Sequence, residues 1–236
     1  MGTFYNTKIP STNNLVFGVD FGNPKFNYDE IVNGISLIAS GVSLNTTSSI
    51  GYVENTAAAG YLRYNSTKFP DLPDGFSAVI ICSIAGFDGL SDSTYRGIIG
   101  TGNSHSTRLV NLWFQKSGSN IRLHQSGRNT SNNGFVGSFS SVFTPPATNE
   151  IVMVGYSHSV SSVTYYAHGS PVSTHSISDF NTAWPTDNYM YVSSGHNANS
   201  FYFAGGRIYT VLLYNRPLTA TEHSSCYNTY KNRFGL

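Results

Sequence analysis

Acid–base, metal or nucleophilic chemistry would have to come here from twelve carboxylates, seven histidines and two cysteines in 236 residues. Glycoside hydrolysis needs a facing pair of carboxylates, about 5 Å apart in retaining enzymes and wider in inverting ones. The acids are Asp20, Asp29, Glu30, Glu54, Asp71, Asp74, Asp88, Asp92, Glu150, Asp179, Asp187 and Glu222. None alternates with another along a strand-like run. Asp29–Glu30, Asp71/Asp74 and Asp88/Asp92 are close in sequence but sit among turn-forming residues. A serine hydrolase has no G-x-S-x-G elbow to start from. Cys82 lies in the apolar run Phe76–Ile84, which suppresses a thiolate rather than activating it. The histidines are scattered singly, without H-x-H or H-E-x-x-H spacing. The expectation is a chain that is not an enzyme, has no catalytic residue and needs no cofactor.

Two kinds of binding chemistry have more to build on. Asp88-Gly89-Leu90-Ser91-Asp92 places two carboxylates in a glycine-containing loop. Calcium asks for six to eight oxygens, so Asp88 and Asp92 are weak candidates and a self-bonded turn is the better reading. Sugar recognition asks for less: an aromatic face for the C–H side and a few amides or hydroxyls for the rest. Two groups qualify. One is His124-Gln125 with Arg128-Asn129, at the mouth of a polar stretch over 126–141. The other is Trp184, Tyr189 and Tyr191 beside Asn188 and Asn197. Taken singly, each of these residues more often serves as a core ring, a cross-strand partner or a turn amide.

The elements that must position them are strands. Leu15–Phe21 alternates, and Phe76–Ile84 is the most apolar run, fit for a central strand buried on both faces. Arg96–Gly102 predicts a strand, and Asn111–Lys116 with Asn120–Gln125 predicts a hairpin turning at Ser117-Gly118-Ser119. Ile151–Tyr156, Val163–Ala167 and Val172–His175 predict a meander that turns at 168–171. Residues 22–60 read as short edge strands, and 126–141 as the longest loop. The last fifth is the most explicit. Ile208–Tyr214 reads as a strand that Asn215-Arg216-Pro217 ends, because proline cannot donate to a ladder. Thr219 and Glu222 form a capping box, and His223, Cys226, Tyr227, Tyr230 and Phe234 share one stripe at helical spacing. Gly235 is the stop.

This closing segment resembles that of laminin-G-like domains, which belong to the concanavalin-A-like jelly rolls. There a strand of the form G-x-I-x-x-V-x-I-Y-N-R-x-L precedes a short helix that starts S-x-x-E. Gly206, Ile208, Val211, Leu213, Tyr214, Asn215, Arg216, Leu218, Thr219 and Glu222 match those places. Tyr209 and Thr210 stand where acids are usual, and His223 where isoleucine is usual. The resemblance spreads from Leu15 to the end, weakly in the first half. It implies an all-β fold: a two-sheet antiparallel jelly-roll sandwich with one short C-terminal helix, packed through Tyr227, Tyr230 and Phe234. The domain would run over 15–236, behind an N-terminal arm at 1–14. Glucanases of this fold carry E-x-D-x-x-E on one strand, and no such pattern occurs here. The fold itself is almost silent on function.

Composition narrows the setting. Charged residues make up 11% of the chain, about half the usual share, so Ser, Thr, Asn, Gly and Tyr must coat the surface. A net charge of +1 offers no field for nucleic acid or an anionic membrane. No apolar run is long enough for membrane insertion, and the N-terminus lacks the pattern of a signal peptide. Cys82 and Cys226 read as small core hydrophobes rather than a disulfide. Together with the resemblance, these features look like a bacteriophage virion-surface protein, a capsid-decoration or fibre-tip module. Its expected partners are other virion proteins or itself as a homo-oligomer, with a host-surface glycan as ligand. The alternative is a secreted or cell-surface lectin-like domain, and a glycoside hydrolase ranks below both.

Overall fold

Eight consecutive residues with no charge, Phe76–Ser83, form strand β6, and all eight are buried. A strand buried on both faces belongs at the middle of a sheet. Antiparallel partners flank it: β11 (Ile151–His158) on one side and β17 (Arg207–Tyr214) on the other. The sheet continues beyond β11 to β12 (Ser162–Ala167) and β13 (Ser170–Ser176). Beyond β17 lie β4 (Tyr52–Asn55) and β3 (Val42–Asn45). Strand β1 (Leu15–Asp20) shares β17 with β4, pairing along Thr210–Tyr214 while β4 takes Arg207 and Ile208. The structure is a computed structural model. It describes residues 13–21, 38–45, 50–56, 60–65, 72, 74–84, 92–102, 110–131, 135–142, 144, 147, 149–181, 183, 189–197 and 200–236.

Among these residues, a second antiparallel sheet of seven strands faces the first of eight. Its order is β10 (Phe135–Phe139), β9 (Asn120–Arg128), β8 (Leu112–Ser117), β7 (Tyr95–Thr101), β14 (Tyr189–Val192), β5 (Tyr61–Asn65) and β2 (Ile38–Ser40). A small hairpin of β15 (Ser194–Asn197) and β16 (Ser200–Tyr202) follows β14. Phe17, Leu62, Tyr64, Phe76, Ile80, Phe114, Leu123, Val211 and Leu213 fill the space between the sheets. This is a two-sheet antiparallel jelly-roll sandwich with one C-terminal helix, the fold the closing segment implies.

The outer face of the eight-stranded sheet is apolar as well. Val79, Ile81, Met153, Tyr209, Leu212 and Tyr214 meet Leu218, Cys226, Tyr230 and Phe234 there. The last three lie on α1 (Ala220–Phe234), which opens with the expected capping box between Thr219 and Glu222. It stops at Gly235, which adopts a left-handed φ of 69° and donates its N–H to the Lys231 carbonyl. Arg216 forks onto Glu222, and Arg233 onto Asp20 of β1 at 2.7 and 2.8 Å. Cys82 and Cys226 are free and buried, one inside the sandwich and the other under the helix.

The stretch over 126–141 is not one long loop. Strand β9 runs on to Arg128, and Phe135–Phe139 pairs back along it, Ser138 opposite Gln125 and Phe139 opposite His124. Its serines and glycines hid this edge from a reading based on apolar alternation. They are tolerated because the phenol of Tyr165, on the facing sheet, bonds the backbone N–H of Gln125 and both oxygens of Ser138. The N-terminal arm at 1–14 lies outside the described residues except for Asn13 and Asn14.

Candidate binding surface

Helix α1 closes one outer face of the sandwich, which leaves the outer face of the seven-stranded sheet. Cross-strand pairing decides what that face carries. Leu112, Phe114, Ile121 and Leu123 point into the core, so Trp113, Gln115, Arg122 and His124 point out. A bulge in β7 between Gly97 and Ile99 breaks the alternation. Both Ile98 and Ile99 enter the core as a result, while Gly97 pairs with outward Trp113 and Gly100 with outward Tyr191.

Two ring clusters stand on this face, one reaching from β7 to β10 and the other on β14 and β5. In the first, His124 stacks on Phe139 with centroids 4.1 Å apart and tilts against Trp113 at 4.9 Å and Tyr95 at 5.6 Å. The Arg122 guanidinium lies 3.9 Å from the Phe139 centroid, and its Nε–H donates to Gln115 Oε1 at 2.6 Å. In the second, Tyr191 meets Tyr61 edge-on at 5.6 Å and Tyr189 at 6.3 Å. The Arg63 guanidinium lies 4.6 Å over the Tyr189 ring. Burial pushes the Tyr191 hydroxyl's pKa up, against a counter-pull from Arg63. Tyr95, Arg122, Phe139, Tyr61, Arg63 and Tyr189 are half-buried, whereas Trp113 and Tyr191 at the centre are buried.

The sugar candidates named from sequence fall out unevenly. His124 joins the first cluster; Tyr189 and Tyr191 join the second. Gln125 points into the sandwich and is wholly buried, with neither amide atom hydrogen-bonded. Arg128 donates to the Ala183 carbonyl at 2.7 Å, and Asn129 bridges to Phe180. Asn197 ends β15, and Trp184 lies outside the described residues. Sequence reasoning missed Tyr95, Trp113, Arg122, Phe139, Tyr61 and Arg63. Strict alternation through Trp113-Phe114-Gln115 and Arg122-Leu123-His124 was the available signal for two of them, Trp113 and Arg122.

Six of the seven described acids are occupied elsewhere, and the seventh, Asp74, is an exposed turn residue. Asp20, Glu54 and Glu222 hold Arg233, Arg207 and Arg216. Asp92 accepts the Gly118 N–H at 2.8 Å, Glu150 the Ala147 N–H at 2.7 Å, and Asp179 bonds Thr130. Asp92 thus works as a turn cap, and its calcium partner Asp88 lies outside the described residues. One serine–histidine pair has nucleophile-and-base geometry: Ser157 Oγ lies 2.9 Å from His223 Nε2. It is sealed under α1. Ser157 gives its proton to the Leu218 carbonyl, which leaves His223 Nε2 as the donor, and the ring stacks on Tyr166 at 3.7 Å. Burial drives the His223 pKa down to about 3, too low for a base near neutrality. The pair locks the helix to the sheet.

No protein-family model matches this chain, and no curated protein is similar to it in sequence. Solved structures are similar in fold. The binding domain of Paraclostridial Mosquitocidal Protein 1 superposes with a TM-score of 0.71 at 13% identity, over 95% of this chain and 54% of that one. The botulinum neurotoxin serotype G binding domain gives 0.68 at 14% identity, over 91% and 50%. A Trypanosoma rangeli sialidase in complex with sialic acid gives 0.67 at 12% identity, over 94% and 34%. The chain therefore spans about half or less of each of these. At such identities the likeness establishes the sandwich fold.

Proposed function

We propose that this chain is a non-catalytic binding module that presents the outer face of its seven-stranded sheet to a carbohydrate. The observation that carries the reading is the placement of the two ring clusters. Each sets half-buried aromatic rings beside a guanidinium, on the face that the helix does not cover. Rings supply a platform for the C–H side of a sugar, and the guanidinium supplies donors for its oxygens. Two of the structural neighbours are themselves binding domains, which agrees with a binding role. A catalytic reading has little support, since six described acids are committed to arginines, turns or caps. We further propose that the module sits on a bacteriophage particle, as a decoration or fibre-tip protein, alone or as a homo-oligomer. The low share of charged residues, 11%, supports that setting.

A glycan array tests the binding role. Hits that vanish on Tyr189→Ala or Phe139→Ala support it, and an array blank at high protein concentration refutes it. Release of reducing ends from any bound polysaccharide would refute the non-catalytic part. Mass spectrometry of purified particles tests the setting, which falls if the protein is absent from them.

A further inference from the structure

Charge is divided unequally between the two sheets. On the eight-stranded sheet and its helix, Arg207, Arg216 and Arg233 each hold a carboxylate. The seven strands of the other sheet carry Arg63, Arg96, Lys116, Arg122 and Arg128 and no aspartate or glutamate. Among the described residues, no carboxylate pairs with Arg63, Arg96 or Arg122. Asp92, in the turn before β7, bonds the Gly118 N–H, and Asp179 bonds Thr130.

Two of those arginines are the ones set against rings. Arg122 spends its Nε–H on Gln115, which fixes the guanidinium plane beside Phe139. Its two terminal nitrogens have no partner among the described residues, and they form the edge that grips a planar anion with two parallel bonds. Arg63 lies over Tyr189, and its guanidinium hydrogen-bonds the Tyr191 hydroxyl. Strand β7 gives Tyr95 to the first cluster, and beyond it the outward positions are the buried Gly97 and Gly100. Arg122 stands on β9 and Arg63 on β5, four strand spacings apart in the sheet, about 19 Å. That span suits several linked sugars rather than one.

We infer that this face binds an acidic oligosaccharide, its carboxylates taken by Arg122 and Arg63 and its ring faces by Phe139 with Tyr95 and by Tyr189 with Tyr61. The inference rests on the carbohydrate-binding reading above and adds the charge of the ligand. Charge complementarity selects the occupant. A neutral sugar would leave two guanidinium groups without counter-charge from any described residue. A nucleic acid would ask for a denser cationic track than five side chains over seven strands, in a chain of net charge +1.

Surface plasmon resonance over immobilised hyaluronan, polysialic acid, dextran and a single-stranded oligonucleotide tests this with the whole chain. The expected result is retention on at least one carboxylated polysaccharide and none on dextran, with affinity falling as salt rises. Arg122→Gln and Arg63→Gln should each weaken retention by about tenfold or more, and Arg122→Lys should weaken it less. The salt series needs no variant, so it stands even if a substitution perturbs folding. Equal retention on dextran, or an affinity indifferent to salt, overturns the acidic ligand and leaves the carbohydrate reading intact. Retention on no polysaccharide, matched by a blank array, overturns both. Tighter retention on the oligonucleotide overturns the inference in favour of nucleic acid.

Discussion

Mild acid should unfold this protein through two histidines on opposite faces of β11. His223 is wholly buried between Ser157 and Tyr166 on the helix side. His158, the neighbour of Ser157, is wholly buried on the core side, stacked on Phe76 at 4.8 Å and against Phe180 at 3.9 Å. Burial pushes both pKa values down to about 3, against smaller pulls from backbone groups at His158 and from Glu222 at His223. The unfolded chain takes up these protons below a pH of about 6.5, whereas the folded chain resists until about 3. Stability is therefore intact above pH 6.5 and declines through the window down to 3. At pH 4.5 each histidine sits two units below its unfolded value. At about 1.36 kcal/mol per unit, that removes about 2.7 kcal/mol each and about 5 kcal/mol together. Such a loss rivals the whole stability of many domains. The ion pair of Glu222, whose pKa is lowered to about 2, weakens mainly below pH 4.5, so that pH isolates the histidines. Urea unfolding followed by circular dichroism at pH 7.5 and 4.5 measures the difference. His223→Leu should keep about half of the wild-type loss, and His158→Phe with His223→Leu should abolish most of it. A wild-type loss below about 1 kcal/mol, or the same loss in the double variant, would refute the argument.

Three other expectations concern the closure of the fold. Gly169→Ala should destabilise by about 2 kcal/mol or more in urea titrations. Its φ is 76°, and a Cβ there would lie 2.7 Å from Tyr227 Cβ and 3.0 Å from the Ser224 Cα of the helix. Arg233→Met should cost about 3 kcal/mol, because it strands the buried Asp20 carboxylate, and Asp20→Asn in that background should recover part of the loss. Both thiols should resist a thiol reagent until the protein unfolds. Burial raises the Cys226 pKa to about 11 and the Cys82 pKa further.

Long-period and strictly local signals were legible before the structure; a surface was not. The run at 76–84 identified the central strand, and the capping box with its apolar stripe located α1 to the residue at its N-terminus. Both patterns are written in consecutive residues, and the sandwich follows from them. The ring clusters are another matter, because their members come from six strands, with Tyr95 and Phe139 separated by 44 positions. Register brings them together, and the bulge at Gly97–Ile99, which puts both isoleucines inside, leaves no periodic trace. His124 and Gln125 show the limit plainly. They are adjacent in sequence and both polar, yet one joins the ring cluster and the other is sealed in the core. His223 looked like a departure from an apolar pattern; buried and hydrogen-bonded to Ser157, it fills the same space.

The position of β17 has a consequence for how the chain acquires its shape. Residues 207–214 slot between β6 on one side and β1 with β4 on the other, so the last of the described strands in chain order completes the middle of its sheet. Until it emerges, the inward and outward edges of β1, β4 and β6 are left as open hydrogen-bonding templates, ready to pair with other chains. Folding must wait for nearly the whole sequence. A nascent chain stalled before residue 207 should therefore be a client for chaperones, and C-terminal truncation should yield aggregates rather than a smaller domain.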